Sequence, residues 1–324
     1  ILVSVGLGGM LHTLLQALYD SVTGNLLMIA EERSHWTTST RHYAAAFISG
    51  LLLWGTHWLV FARNDANNRF RTAYLYIASI PAGGIISTVA TGSLLYGVFS
   101  LTLGIGRAEN GQILSQVPGS LSSLIVGLFL IFYHQEIATR ESADRQSENL
   151  PNNKLAFLYS FSFIGIAVSA PGIATLFYTA FGAITETSTA ILESSPESWR
   201  DPAASGLAML ILGGTIWGYI QIKYLSKAKI IESTTLPIKR IYFTGIIGIG
   251  LLIAVSALSI FIFVVLRDVL GGDLGYETVR SIRIPVSILV AFAVIVPYHW
   301  LIQRTERQQV ETFSTTKTIR PRKK

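Results

Sequence analysis

The chain has 324 residues, half of them hydrophobic and only 14% charged, with a mean hydropathy of +0.48. Soluble domains carry about 25% charged residues, so much of this surface is built for lipid rather than water. There is no cysteine, which excludes disulfides, thiolate metal sites and thiol catalysis, and much of the +6 formal charge sits in the terminal KTIRPRKK.

About 20 apolar residues span a bilayer core, and eight stretches meet that length. The first, 1–24, contains GLGG at 6–9, a deep His12 and a near-terminal Asp20. It opens on Ile1 with no positive flank, so a preceding piece is expected to be missing. The second, 43–62, ends in WGTHW, with His57 between Trp54 and Trp58. The third, 72–100, follows RTAYLY and holds PAGG at 81–84, a place where the helix is expected to bend or break. The fourth, 119–138, ends in IFYHQ with His134. The fifth, 155–184, follows Lys154 and is uncharged from Leu155 to Thr185. The sixth, 203–224, carries Trp217 and Tyr219 near its end. The seventh, 240–267, is uncharged from Ile241 to Leu266, and the eighth, 284–303, ends in VPYHW with His299 and Trp300. Residues 304–324 form a basic tail.

Backbone groups in hydrocarbon must pair internally, which leaves helices or closed barrels. These runs are too long and too uniformly apolar for barrel strands. The expected fold is an all-α integral membrane protein with about eight transmembrane helices in one domain, 1–303. The connections 63–71, 140–154, 223–240 and the tail from Arg304 hold 18 Lys and Arg, and the alternate connections hold 7. The positive-inside rule then places the first set, and both ends, in the cytoplasm. The tail reads as a flank facing anionic lipid, with no nucleic-acid partner.

The helices repeat weakly. RTAYLY (71–76), KLAFLY (154–159) and KRIYFT (239–244) each place a cation three residues before an aromatic, at spacings of 83 and 85. Tyr19, Tyr96 and Tyr178 align near the opposite ends. The unit is read as an antiparallel helix hairpin closed by a basic turn, with copies over 43–100, 119–184 and 203–267 and half-copies over 1–24 and 284–303. These features resemble an uncharacterised bacterial family of multi-pass membrane proteins, described only as a domain of unknown function, with R-x-x-Y-L-Y starts to long helices. The resemblance covers most of the chain. It implies an integral membrane fold in a bacterial inner membrane and brings no activity or functional residues.

The cation–aromatic starts read as interfacial anchors: Arg71 with Tyr74, Lys154 with Phe157 and Lys239 with Tyr242, joined by Trp54, Trp58, Trp217 and Trp300. His57, His134 and His299 have two open readings. Neutral imidazole ligates haem iron or a (bacterio)chlorophyll magnesium, which would make the chain a redox or light-harvesting subunit. Imidazole also has an apolar body and a polar edge, and so belongs among interfacial aromatics. Charges within the spans are confined to their ends, at Asp20, Glu136 and Arg267. That weakens a solute transporter, which places ionisable groups near the midplane. Small-residue patches favour close helix packing. The leading expectation is a non-enzymatic accessory or scaffold subunit, embedded in the bilayer beside other membrane subunits.

Overall fold

A computed structural model describes residues 1–23, 38–62, 71, 74–105, 113–143, 152–185, 199–225 and 237–319. Eight long helices account for most of them: α1 Leu2–Thr23, α2 Thr38–Gly55, α3 Ile80–Thr102, α4 Val117–Ala143, α5 Asn152–Thr185, α6 Arg200–Ile220, α7 Pro237–Gly271 and α8 Tyr276–Ile319. With their π-helical extensions, all eight are long and apolar enough to cross a membrane, as the apolar stretches predict. The described residues contain no strand. The expected tail is helical as far as Ile319, because Gln, Arg and Glu after Gln303 are good helix formers and the next proline is Pro321.

Among the described residues, three helix ends depart from α geometry. Thr56–Phe61 and Gln221–Leu225 continue α2 and α6 as π-helix, and Tyr74–Ser79 leads as π-helix into α3. The expected break at PAGG takes this last form. Pro81 lacks an N–H and its ring crowds the carbonyl four residues back, and regular α-helix starts only at Ile80. Helices α3 and α7 end alike. Gly104 and Gly272 adopt left-handed backbone, with φ of 70° and 76°. Ile105 N–H donates to the Ser100 carbonyl and Asp273 N–H to the Asp268 carbonyl, each at 2.9 Å. This six-residue closure satisfies carbonyls that a helix end leaves open, and glycine enters it without a Cβ penalty.

The chain forms two compact units, Ile1–Phe157 and Leu158–Lys324. In the first, α1 and α2 run antiparallel through glycine contacts. A Cβ on Gly50 would lie 2.6 Å from the Val3 nitrogen, and one on Gly6 would lie 2.6 Å from the Phe47 Cα. Helices α3 and α4 meet the same way, Gly83 against the Gly127 carbonyl, and Ser120 Oγ donates to Ser93 Oγ at 2.9 Å. Helix α1 also lies on α4, where Gly8 faces Val126 and Gly119 faces His12.

In the second unit, α5 and α6 are antiparallel and touch backbone to backbone at Gly165 with Gly213 and at Gly172 with Gly206. Helix α8 packs on α7, where Phe292 and Val296 cover Gly250. It reaches α5 where Arg283 Nε donates to the Tyr178 carbonyl at 2.9 Å. Without a hydrophobic force between helices in lipid, such close approach supplies the packing energy.

Candidate functional site

Among the described residues, each unit holds one buried histidine, ringed by aromatic side chains. In the first, His134 on α4 is 6% exposed. Its Nδ1 lies 2.8 Å from the Leu130 carbonyl, one turn back on the same helix. Tyr133 meets the imidazole edge-on with centroids 5.1 Å apart, and Tyr74 meets it at 5.9 Å. Trp54 packs on Tyr133 at 5.9 Å, and Trp58 on Tyr74 at 6.2 Å. The Arg71 guanidinium lies 4.2 Å over Trp58 and also donates to the Ala62 carbonyl, which ties the two ends of the connection together.

The second unit has a similar arrangement, with more rings around its histidine among the described residues. His299 on α8 is 3% exposed, and its Nδ1 lies 2.8 Å from the Ile295 carbonyl. Tyr298 stands edge-on at 5.1 Å, and Trp217, Tyr242 and Phe243 follow at 6.1, 6.2 and 6.3 Å. Trp217 packs on Tyr298 at 5.3 Å, as Trp54 packs on Tyr133. Tyr242 Oη shares a 2.7 Å hydrogen bond with Ser162 Oγ, which is fully buried on α5.

A carbonyl only accepts, so Nδ1 carries the proton in both rings and, in neutral imidazole, Nε2 holds the lone pair. Metal-ligating histidines use that same tautomer. His299 Nε2 is buried and has no hydrogen-bond partner among the described residues. It is also enclosed, so a macrocycle reaches it only if the cage opens. Among the described residues, no group of three or more His, Asp or Glu side chains is placed to hold a metal ion.

His57 is exposed on the π-helical end of α2, apart from the enclosed His134. Of the other residues singled out by the sequence, Trp54, Trp58, Phe157 and Trp217 are half-buried and Tyr74 is exposed. Lys239 and Tyr242 are buried. Trp300 is exposed, with the Arg304 guanidinium 5.3 Å over its ring. The side chain of Lys154 lies outside the described residues. The near-terminal charges pair locally, Gln16 Nε2 to Asp20 at 3.0 Å, Arg140 to Glu136 at 2.7 Å and Arg267 to Asp268 at 2.6 Å. Sequence reasoning missed Ser162, Phe243 and the cage role of Tyr133 and Tyr298. The Tyr-His pair at 133–134 and again at 298–299 could have signalled the two tyrosines; nothing in the sequence marks Ser162 or Phe243.

A family model described as a domain of unknown function (DUF5671) matches residues 1–129 and 156–294. The chain belongs to that family. No curated protein and no solved structure matches it.

Proposed function

We propose that this DUF5671 member is a non-enzymatic scaffold subunit that holds other membrane helices against its own. The observation that carries this reading is a division among its glycines. Gly6, Gly50, Gly83, Gly165, Gly172 and Gly213 are closed against neighbouring helices of their own unit. A Cβ placed on Gly214 or Gly218 of α6, or on Gly245 or Gly248 of α7, would meet nothing within 4 Å among the described residues. Gly214 and Gly218 are four apart, the small-xxx-small spacing through which membrane helices approach closely. Exposed Ile211, Tyr219 and Ile222 flank them. The chain's own folding uses the first set and leaves the second for a partner.

The reading includes a bacterial inner membrane with both ends in the cytoplasm, supported by the distribution of 18 against 7 basic residues among the connections. It also includes an internal repeat. The paired cages, with His134 and His299 165 residues apart, and the matching ends of α3 and α7 support a four-helix unit used twice. The shorter hairpin period fits inside it.

Purification from the native membrane in mild detergent tests the scaffold. The wild type is expected to bring a larger complex with it. Gly214→Leu and Gly218→Leu are expected to release the partner while the thermal stability of the isolated chain is unchanged. A wild-type chain recovered only as a monomer or homo-oligomer would refute the proposal. The tautomer and lone pair of His299 favour a second reading, a haem- or chlorophyll-bearing subunit. It requires a Soret or chlorophyll absorption band in the native preparation that His299→Phe removes.

A further inference from the structure

The second unit contains a cavity of about 600 Å³ along the seam of α5, α7 and α8, within the range of roughly 300–1,000 Å³ usual for small-molecule sites. Its α5 wall is one face of the helix, since Phe163, Ala167, Ala170, Ala174 and Tyr178 recur in it at steps of three and four. Ile249 from α7 and Phe292 from α8 complete walls that are almost wholly apolar. The polar groups of the lining gather toward one end, at Thr175, Tyr178 and Ser287. Arg283 is engaged in holding α8 on α5 at that end. Its Nε donates to the Tyr178 carbonyl at 2.9 Å, and its guanidinium lies 4.0 Å over the Tyr178 ring, where a Cβ on Gly182 would also stand. Ser287 Oγ donates to the Arg283 carbonyl at 2.7 Å. The hydroxyls of Thr175 and Tyr178, one turn apart, have no hydrogen-bond partner among the described residues, whereas Thr179 bonds the carbonyl of Thr175 at 2.8 Å.

Apolar walls of this extent do not hold water, and they need partner atoms for their dispersion contacts. In a bilayer, hydrocarbon chain supplies those atoms. The length of the groove fits one such chain. From Phe163 to Thr175 the α5 wall runs about 18 Å at 1.5 Å rise per residue, against about 15 Å for one leaflet of a 30 Å hydrocarbon core. The two hydroxyls at its end add a chemical demand. A hydroxyl in hydrocarbon is unfavourable until an acceptor reaches its proton, and the ligand that fills the groove should bring one. A bilayer lipid carries that acceptor in the right place, as the ester carbonyl at the head of each acyl chain.

We propose that this groove binds one acyl chain of an ester-linked lipid, whose ester carbonyl accepts from the hydroxyls of Thr175 and Tyr178. The inference stands apart from the scaffold reading, and its variants leave Gly214 and Gly218 unchanged. Native mass spectrometry of the full chain, released from nanodiscs containing equal amounts of a diacyl phosphatidylcholine and its dialkyl ether analogue, tests it. The ester lipid should be retained over the ether by about fivefold, the weight of one net hydrogen bond. Thr175→Val combined with Tyr178→Phe keeps both shapes, removes both donors and should bring that ratio near one. Ala167→Leu combined with Ala174→Leu, which fills the groove, should remove the most tightly held adduct of either lipid. Equal retention of the two lipids by the wild type overturns the proposal, as does an unchanged ratio in the variant without the two hydroxyls. An adduct held as tightly after the groove-filling change also overturns it, and so does an isoprenoid in place of a lipid ester on the chain purified from native membrane. If the variant without the hydroxyls does not fold, the wild-type ratio and the groove-filled variant decide.

Discussion

Adjacent glycines in α6 should respond to the same substitution in opposite ways. A Cβ on Gly213 would lie 2.5 Å from both the Gly165 carbonyl oxygen and the Ser169 nitrogen, whereas one on Gly214 meets nothing within 4 Å. Ordinary contact begins near 3.4 Å, so Gly213→Ala forces α6 away from α5 by about 0.9 Å. The obstructing atoms are backbone and cannot rotate aside. Forcing extra atoms into a packed seam costs about 1–3 kcal/mol, and the separation also loosens the Gly172–Gly206 contact two turns along. Gly214→Ala adds a methyl facing outward and should stay within about 0.5 kcal/mol of wild type. Because one separation of α5 from α6 relieves both contacts, Gly213→Ala combined with Gly172→Ala should cost less than the sum of the two singles. Equilibrium unfolding in mixed micelles reads each of these chains. If Gly213→Ala and Gly214→Ala shift stability equally, the close approach of these helices is wrong.

Three further outcomes are expected. Tyr242→Phe strands the buried Ser162 hydroxyl and should cost about 1 kcal/mol; adding Ser162→Ala should cost less than its single effect, a coupling that a double-mutant cycle measures. His299→Phe keeps an aromatic ring in the cage, though a larger one, and should cost about 1–3 kcal/mol, whereas His299→Ala opens a cavity and should cost more, about 2–5 kcal/mol; a cost for Ala no greater than that for Phe in the same unfolding assay would mean that the cage does not depend on packing. Leu274 and Gln308 flank the apolar part of α8. In this cysteine-free chain, Leu274→Cys and Gln308→Cys should label from opposite faces of sealed vesicles, and labelling from one face would remove the α8 crossing.

The eight helices are legible in the sequence because hydrophobic length is a one-dimensional signal. Pro81 marks the irregular start of α3 for the same local reason. Which glycines matter is not legible, since Gly213 and Gly214 are identical in the chain and differ only in which way the helix turns them. The histidines show the same limit. His57, His134 and His299 all end apolar runs beside aromatics, yet His57 is exposed and the other two are buried. That difference depends on the helix face that meets a neighbour. Ser162 is one hydroxyl in a long apolar run, and its partner, Tyr242, lies 80 residues away. The groove is a relation among three helices, so no single segment announces it.

The π-helical ends have a consequence for how this chain tolerates changes in length. A hydrogen bond from residue i to i+5 encloses one more residue than the α ladder needs. Removing one residue within Thr56–Phe61 or Gln221–Leu225 can therefore be absorbed by reversion to α geometry, leaving the turns before it in phase. A deletion at Gly213 instead rotates every later side chain of α6 by about 100°, moving Trp217 away from Tyr298. Shortened relatives should accordingly lose residues at these wide turns and keep the spacing of the glycine seams.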